Sequence, residues 1–274
     1  MPVNDGTAST YGKSRVAAVT TRPKRMSLDA ITDGPRPEPW VMLVYGPEGV
    51  GKSSLVLDID DHITIDIEQS ANQLKTKKFP TPLTLQDVYD AIEALYTGDH
   101  QYKTVVIDTI DRLEAMIFKG VAERAKLKSV EDFGYGKGYQ VALDEWRNIV
   151  ARLDELRASR RMNVLLLGHT FIKAFKNPDG PDYDRYTLRL HEKASGFIKE
   201  WAEAVLFARY DEATTKLNER DTKVKGVSSG ERSLWTRHTA AYDAKNRFNL
   251  PETLPLKWRE LEAAMREGMK KEIP

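Results

Sequence analysis

The chain has 274 residues, 41% of them hydrophobic and 30% charged, and a formal net charge of +1. That length suits one large α/β domain, and the composition is that of an ordinary soluble globular protein. The absence of cysteine excludes disulfides and thiolate metal sites and fits a cytoplasmic protein, and no apolar run or leader-like segment points to a membrane or to export.

Residues 1–38 are rich in Thr, Ser, Pro and Gly and read as a flexible tail with one apolar patch, Met26, Leu28 and Ile31. An arm that docks on a neighbouring subunit is the other reading. From Trp40 the pattern changes, so residues 39–251 read as the core. "WVMLVY" is a continuous apolar strand, with a helix from Ser53, and "HITIDIE" is a second strand rich in β-branched residues. "TLQDVYDAIEALYTG" has apolar residues at helical spacing and a Gly stop. "KTVVIDT", "NVLLLGHT" and "AEAVLFARY" read as further strands, with a long helical tract around "VALDEWRNIVARLDELRASR". Apolar strands alternating with helices predict an α/β fold with a mostly parallel sheet flanked by helices. After Tyr210 the pattern predicts a β-hairpin with a polar tip around Gly226 to Gly230. Residues 252–274 predict an amphipathic helix carrying Leu256, Trp258, Leu261 and Met265 on or near one face.

"GPEGVGKS" has the spacing G-x-x-x-x-G-K-[ST], between a strand and a helix. Gly46, Pro47, Glu48, Gly49, Val50, Gly51, Lys52, Ser53 and Ser54 form a turn whose backbone N–H groups can curl around phosphates. Lys52 supplies a point charge to the β- and γ-phosphates, and the Ser53 hydroxyl can ligate Mg²⁺. Asp108 ends "TVVID" and can hold the same ion through water. Together they predict binding of ATP with Mg²⁺. Glu68 follows the strand after the loop and can polarise a water toward the γ-phosphate.

In these features the chain resembles the RecA-like ATPases. The resemblance rests on the "IDIE" context of Glu68, on "VVID" before the magnesium-side aspartate, and on a polar residue ending the next long strand. It implies that Glu68 is the catalytic glutamate and that His169 takes the γ-phosphate sensor position, where RecA has glutamine. It also implies that Lys245 and Arg247, in "DAKNRFNLP", reach the ATP of a neighbouring subunit, so that activity needs a homo-oligomer, either filament or ring. More narrowly, "GPEGVGKS", "VVIDTID", "YGKGY", "DYDRY", "EWA" and "AKNRF" resemble phage-encoded minimal RecA-core annealing and recombination ATPases.

That resemblance implies two loops for single-stranded DNA. The first is "FGYGKGYQ", where Tyr135, Lys137 and Tyr139 alternate aromatic with cation. The second is Phe171 to Ser195, a long excursion or hairpin with Lys173, Lys176, Arg185 and Arg189 among aromatic residues. The function implied is ATP-dependent annealing or recombination in the host cytoplasm, with single-stranded DNA and a single-strand-binding protein as partners. A hexameric translocase or helicase shares every nucleotide residue, and a switch protein acting on a non-DNA partner shares the loop. A small-molecule kinase is disfavoured by Glu68 and by Lys245 with Arg247.

Overall fold

The computed structural model describes residue 31 and residues 38–70, 74–216 and 224–270, with the backbone alone over 212–216 and 224–229. Residues Glu38–Pro274 form one compact unit. The expected N-terminal tail, apart from Ile31 and Glu38, lies outside the described residues.

The strands are β1 (Val41–Gly46), β2 (His62–Asp66), β3 (Thr104–Asp108), β4 (Asn163–Phe175), β5 (Tyr183–Leu188), β6 (Ala204–Lys216), β7 (Val224–Trp235), β8 (Lys245–Asn246) and β9 (Thr253–Pro255). The helices are α1 (Lys52–Val56), α2 (Leu85–Thr97), α3 (Ile110–Arg124), α4 (Lys137–Arg160), α5 (Glu192–Trp201) and α6 (Trp258–Gly268). The sheet runs β2-β3-β4-β1-β6-β7-β9, with β5 added to β4 and β8 to β6. The five strands from β2 to β6 in that order are parallel, β7 pairs antiparallel with β6, and β9 pairs antiparallel with β7. This is the predicted α/β architecture.

Burial on both faces explains the near-continuous apolar strands. In β1, Val41, Leu43 and Tyr45 join the core that includes Leu113, Trp146 and Ile149 of α3 and α4. Met42 and Val44 point the other way, into a second core with Leu55 of α1 and Leu261 and Met265 of α6. Helix α2 starts at a capping box in which Thr84 accepts from the N–H of Asp87 and the Asp87 carboxylate accepts from the N–H of Thr84. Helix α6 buries Trp258 against Trp40, with ring centroids 5.6 Å apart. Each such fully buried apolar side chain contributes roughly 1.5–3 kcal/mol.

Three local expectations change. Residues 226–230 are not a hairpin tip: β7 already pairs with β6 from Val224. Thr253–Pro255 pair with β7 as a strand, so the terminal helix starts only at Trp258. Helix α4 begins at Lys137, which takes Lys137 and Tyr139 out of the expected first loop and into a helical turn. The second expected loop takes its hairpin form, because β4 runs on to Phe175 and pairs antiparallel with β5.

The parallel register sets the carboxyl ends of the strands side by side. Gly46 of β1 pairs with His169 of β4, and Asp108 of β3 pairs with Asp66 of β2. In open α/β sheets this edge is where ligands bind.

Candidate active site

The turn after β1 is held by backbone geometry that glycine permits. Gly51 has φ of +101°, and a Cβ there would collide with the Arg232 guanidinium. Two residues beyond the expected motif brace the turn: Tyr210 donates its hydroxyl to the Gly49 carbonyl at 2.8 Å, and Arg232 donates to the Val50 carbonyl at 3.3 Å. Helix α1 spans only five residues, so the turn's own N–H groups, more than a helix macrodipole, define the anion site.

A cavity of about 330 Å³ opens at this edge, lined by Glu48, Lys52, Ser53, Glu68, Asp108 and His169 among others. Lys52 is buried, and its ammonium donates to the carbonyls of Gly46 and Pro47 at 3.1 and 2.8 Å. Burial pulls its pKa down to about 8, against the opposing pull of the Asp108 and Glu68 carboxylates.

Asp108 is buried and accepts two hydroxyl hydrogen bonds on one oxygen, from Ser53 and Ser70, each at 2.7 Å. Its other oxygen, Oδ1, is buried with no partner within the protein. Burial raises its pKa, while the two hydroxyls lower it. A buried orphan carboxylate oxygen beside a serine hydroxyl fits Mg²⁺, a hard cation that takes oxygen ligands. Among the described residues no three His, Cys, Asp or Glu side chains cluster to hold a metal, so such an ion would complete its shell with phosphate and water.

Glu68 is tied to the same strand end. Its backbone N–H and that of Ile67 both donate to the Asp108 carbonyl, at 3.1 and 2.7 Å. Its carboxylate lies 3.7 Å from Nε2 of His169. Burial raises the Glu68 pKa, with the His169 charge acting in the opposite direction.

His169 itself is held from behind. Asp111, in the first turn of α3, accepts from the His169 backbone N–H at 3.0 Å and lies 3.1 Å from Nδ1. Burial works to raise the Asp111 pKa, but the hydrogen bonds from His169 outweigh it and keep the carboxyl below its ordinary value. An ionised Asp111 assigns the Nδ1 proton to its own hydrogen bond and leaves Nε2 facing Glu68. Asp111 and Ser70 were not expected from the motif. Asp111 follows Asp108 by three residues, which is the signal that an acid heads the next helix. Ser70 carries no comparable signal.

The remaining expected residues lie elsewhere. Lys245 is absent from the cavity lining; its ammonium donates to the Lys199, Glu200 and Ala202 carbonyls at the end of α5. Arg247 is exposed nearby, its backbone N–H bonded to the Glu203 carbonyl. Tyr135 stands fully exposed between Gly134 and Gly136. Tyr139 instead stacks on His191, centroids 4.3 Å apart, and donates to Glu131 at 2.8 Å. Lys173 is exposed, and Lys176 forms a surface ion pair with Asp182 at 3.0 Å. Arg185 turns inward, 2.5 Å from Asp243 and 5.6 Å from the Phe175 ring centroid. Phe171, Ile172 and Phe175 on the same hairpin are exposed.

A glycine-spaced turn at the carboxyl edge of a parallel sheet, with a lysine, a serine and a strand-end aspartate around one cavity, defines a P-loop nucleotide-binding ATPase domain. The profile of the family described as "AAA domain" matches residues 38–248, and the chain belongs to that family. Among solved structures the chain is similar to the crystal structure of the RadB recombinase. The two share 15% identity over 81% of this chain and 90% of that one, with a TM-score of 0.44. No curated protein matches the chain. Among the described residues no helix is long and apolar enough to cross a membrane.

Proposed function

We propose that this chain hydrolyses ATP in order to bind and release single-stranded DNA, as a RecA-like annealing or recombination protein working as a homo-oligomer. The observation that carries this reading is the continuity of β4. The strand is buried through Thr170, presents His169 to Glu68 in the cavity, and runs without a break into the exposed arm Phe171–Phe175. A change at the phosphates therefore has a rigid route to a cationic, aromatic surface.

Lys52 and the N–H groups of the turn bind the phosphate chain. Ser53 and Asp108 would hold Mg²⁺, which when bound would supply charge neutralisation for the phosphates. Glu68 accepts the proton of the attacking water, and its raised pKa makes it a stronger base than an exposed carboxylate. His169, oriented by Asp111, lines the cavity beside Glu68 and responds to the γ-phosphate. Lys245 and Arg247, which do not line the cavity of their own chain, act on the nucleotide of a neighbouring subunit, for which the Lys245 ammonium must leave the carbonyls at the end of α5. DNA is contacted by Tyr135, Lys137, Lys173 and Lys176, with Phe171 and Phe175 available for base stacking.

The test is fluorescence anisotropy of a labelled single-stranded oligonucleotide, with and without ATPγS and Mg²⁺. Tighter binding with ATPγS, weakened by salt and by Lys173→Glu with Lys176→Glu, supports the reading. Equal, negligible binding in all conditions leaves an ATPase acting on some other partner.

A further inference from the structure

The base of the β4–β5 hairpin carries an arginine that faces the phosphate turn. The backbone N–H of Arg189 donates to the His169 carbonyl at 2.9 Å, which anchors the residue beside the strand end that lines the cavity. Its guanidinium donates from one nitrogen to Glu48 Oε1 at 2.8 Å and from another to the Thr170 carbonyl at 3.4 Å. Glu48 belongs to the turn itself and lines the cavity with Lys52 and His169.

We propose that Arg189 is a second cation of the nucleotide site, held by Glu48 and placed to pass to the terminal phosphate of a triphosphate. The inference rests on the ATP reading above. Both partners of the pair are substantially exposed, with side-chain accessibilities of 43% and 64%. An ion pair of that kind is weakly held. A triphosphate entering the turn brings negative charge toward Glu48 and offers Arg189 a stronger acceptor than a single carboxylate. The guanidinium has five N–H donors in a planar fork, so it can engage a phosphate bidentately without giving up its anchor at Thr170. Its tether at the His169 carbonyl and its bond to Glu48 place it beside two residues that line the cavity, within side-chain reach of a phosphate held there. Arg189 would thereby distinguish triphosphate from diphosphate and report the difference to the hairpin that it closes.

Calorimetric titration of the full chain with ATPγS and with ADP, in Mg²⁺, tests this using wild type, Arg189→Ala, Arg189→Lys and Glu48→Gln. Arg189→Ala is expected to weaken ATPγS binding by about tenfold to hundredfold while ADP stays within about twofold, the scale of one charge-assisted contact. Arg189→Lys recovers part of the loss, and Glu48→Gln, which removes the carboxylate competing for Arg189, tightens ATPγS binding. Unchanged ADP binding shows that the variants are folded. If Arg189→Ala and Glu48→Gln instead shift both nucleotides equally, Arg189 merely braces the turn and the proposal fails. Wild type that binds neither nucleotide overturns the ATP reading itself.

Discussion

Asp111 and His169 meet twice, through the backbone N–H at 3.0 Å and through Nδ1 at 3.1 Å. This double contact fixes the ring so that its other nitrogen faces Glu68, and it links the first turn of α3 to the end of β4. An amide in place of the carboxylate keeps one acceptor for two N–H donors, so the Nδ1 proton and the backbone N–H can no longer both be held. Asp111→Asn is expected to lower kcat by about tenfold to hundredfold, the usual cost of losing a group that orients a functional histidine. KM should change little, since no phosphate ligand is touched. A steady-state assay that shows full kcat in Asp111→Asn would remove His169 from the hydrolytic machinery.

Ser70 shares Asp108 Oδ2 with Ser53, and its own backbone N–H donates to Asp66 at 3.1 Å. With Ser53 it fixes the Asp108 carboxylate through Oδ2 and so sets the orientation of the group beside the Ser53 hydroxyl. Ser70→Ala should raise the Mg²⁺ concentration needed for half-maximal hydrolysis by about tenfold, and Asp108→Asn by more. A magnesium titration of the two variants that matches wild type would contradict this role.

The buried Lys52 has its pKa lowered from 10.5 to about 8. Above about pH 8 the folded protein carries it neutral, whereas an exposed lysine stays charged up to 10.5. Pairing with phosphate then requires proton uptake, so triphosphate affinity should fall as pH rises, by up to about tenfold per unit above pH 8. Binding titrations at pH 7, 8 and 9 read this directly. In two buffers of different ionisation enthalpy, calorimetry should also show net proton uptake at pH 9.

The two cross-strand basic residues of the hairpin should separate cleanly. Lys173 and Arg185 face each other in register, yet only Arg185 turns inward, to Asp243. Lys173→Ala is expected to weaken single-stranded DNA binding and to leave the melting temperature unchanged. Arg185→Ala should lower the melting temperature, because Asp243, a half-buried carboxylate, keeps Lys199 on one oxygen but loses its closest partner on the other. Thermal melts and anisotropy on the same two proteins settle the distinction.

How much of this was legible in the sequence depends on whether the signal was local. Lys52, Ser53, Asp108 and Glu68 converge as their motifs imply, because each sits at a strand end and parallel strands align their ends. The α/β architecture was legible for the same reason: strands buried on both faces must be apolar throughout. The helical setting of Tyr139 and the inward ion pair of Arg185 were not legible, because alternating aromatics and cations look alike in a loop, on a helix and on either face of a hairpin. Only the helical start at Lys137 and the ion cluster around Asp243 decide it. Arg232, Tyr210 and Ser70 act on residues far away in the chain or without a motif, and no single sequence displays such contacts.

The central claim is that one cavity hydrolyses ATP under the control of single-stranded DNA. The most direct measurement is the rate of phosphate release with and without single-stranded DNA, using Lys52→Ala as the blank. Hydrolysis is expected to rise with single-stranded DNA, to be absent in Lys52→Ala, and to lose its stimulation in Lys245→Ala. Hydrolysis that is indifferent to DNA, or that persists in Lys52→Ala, would contradict it.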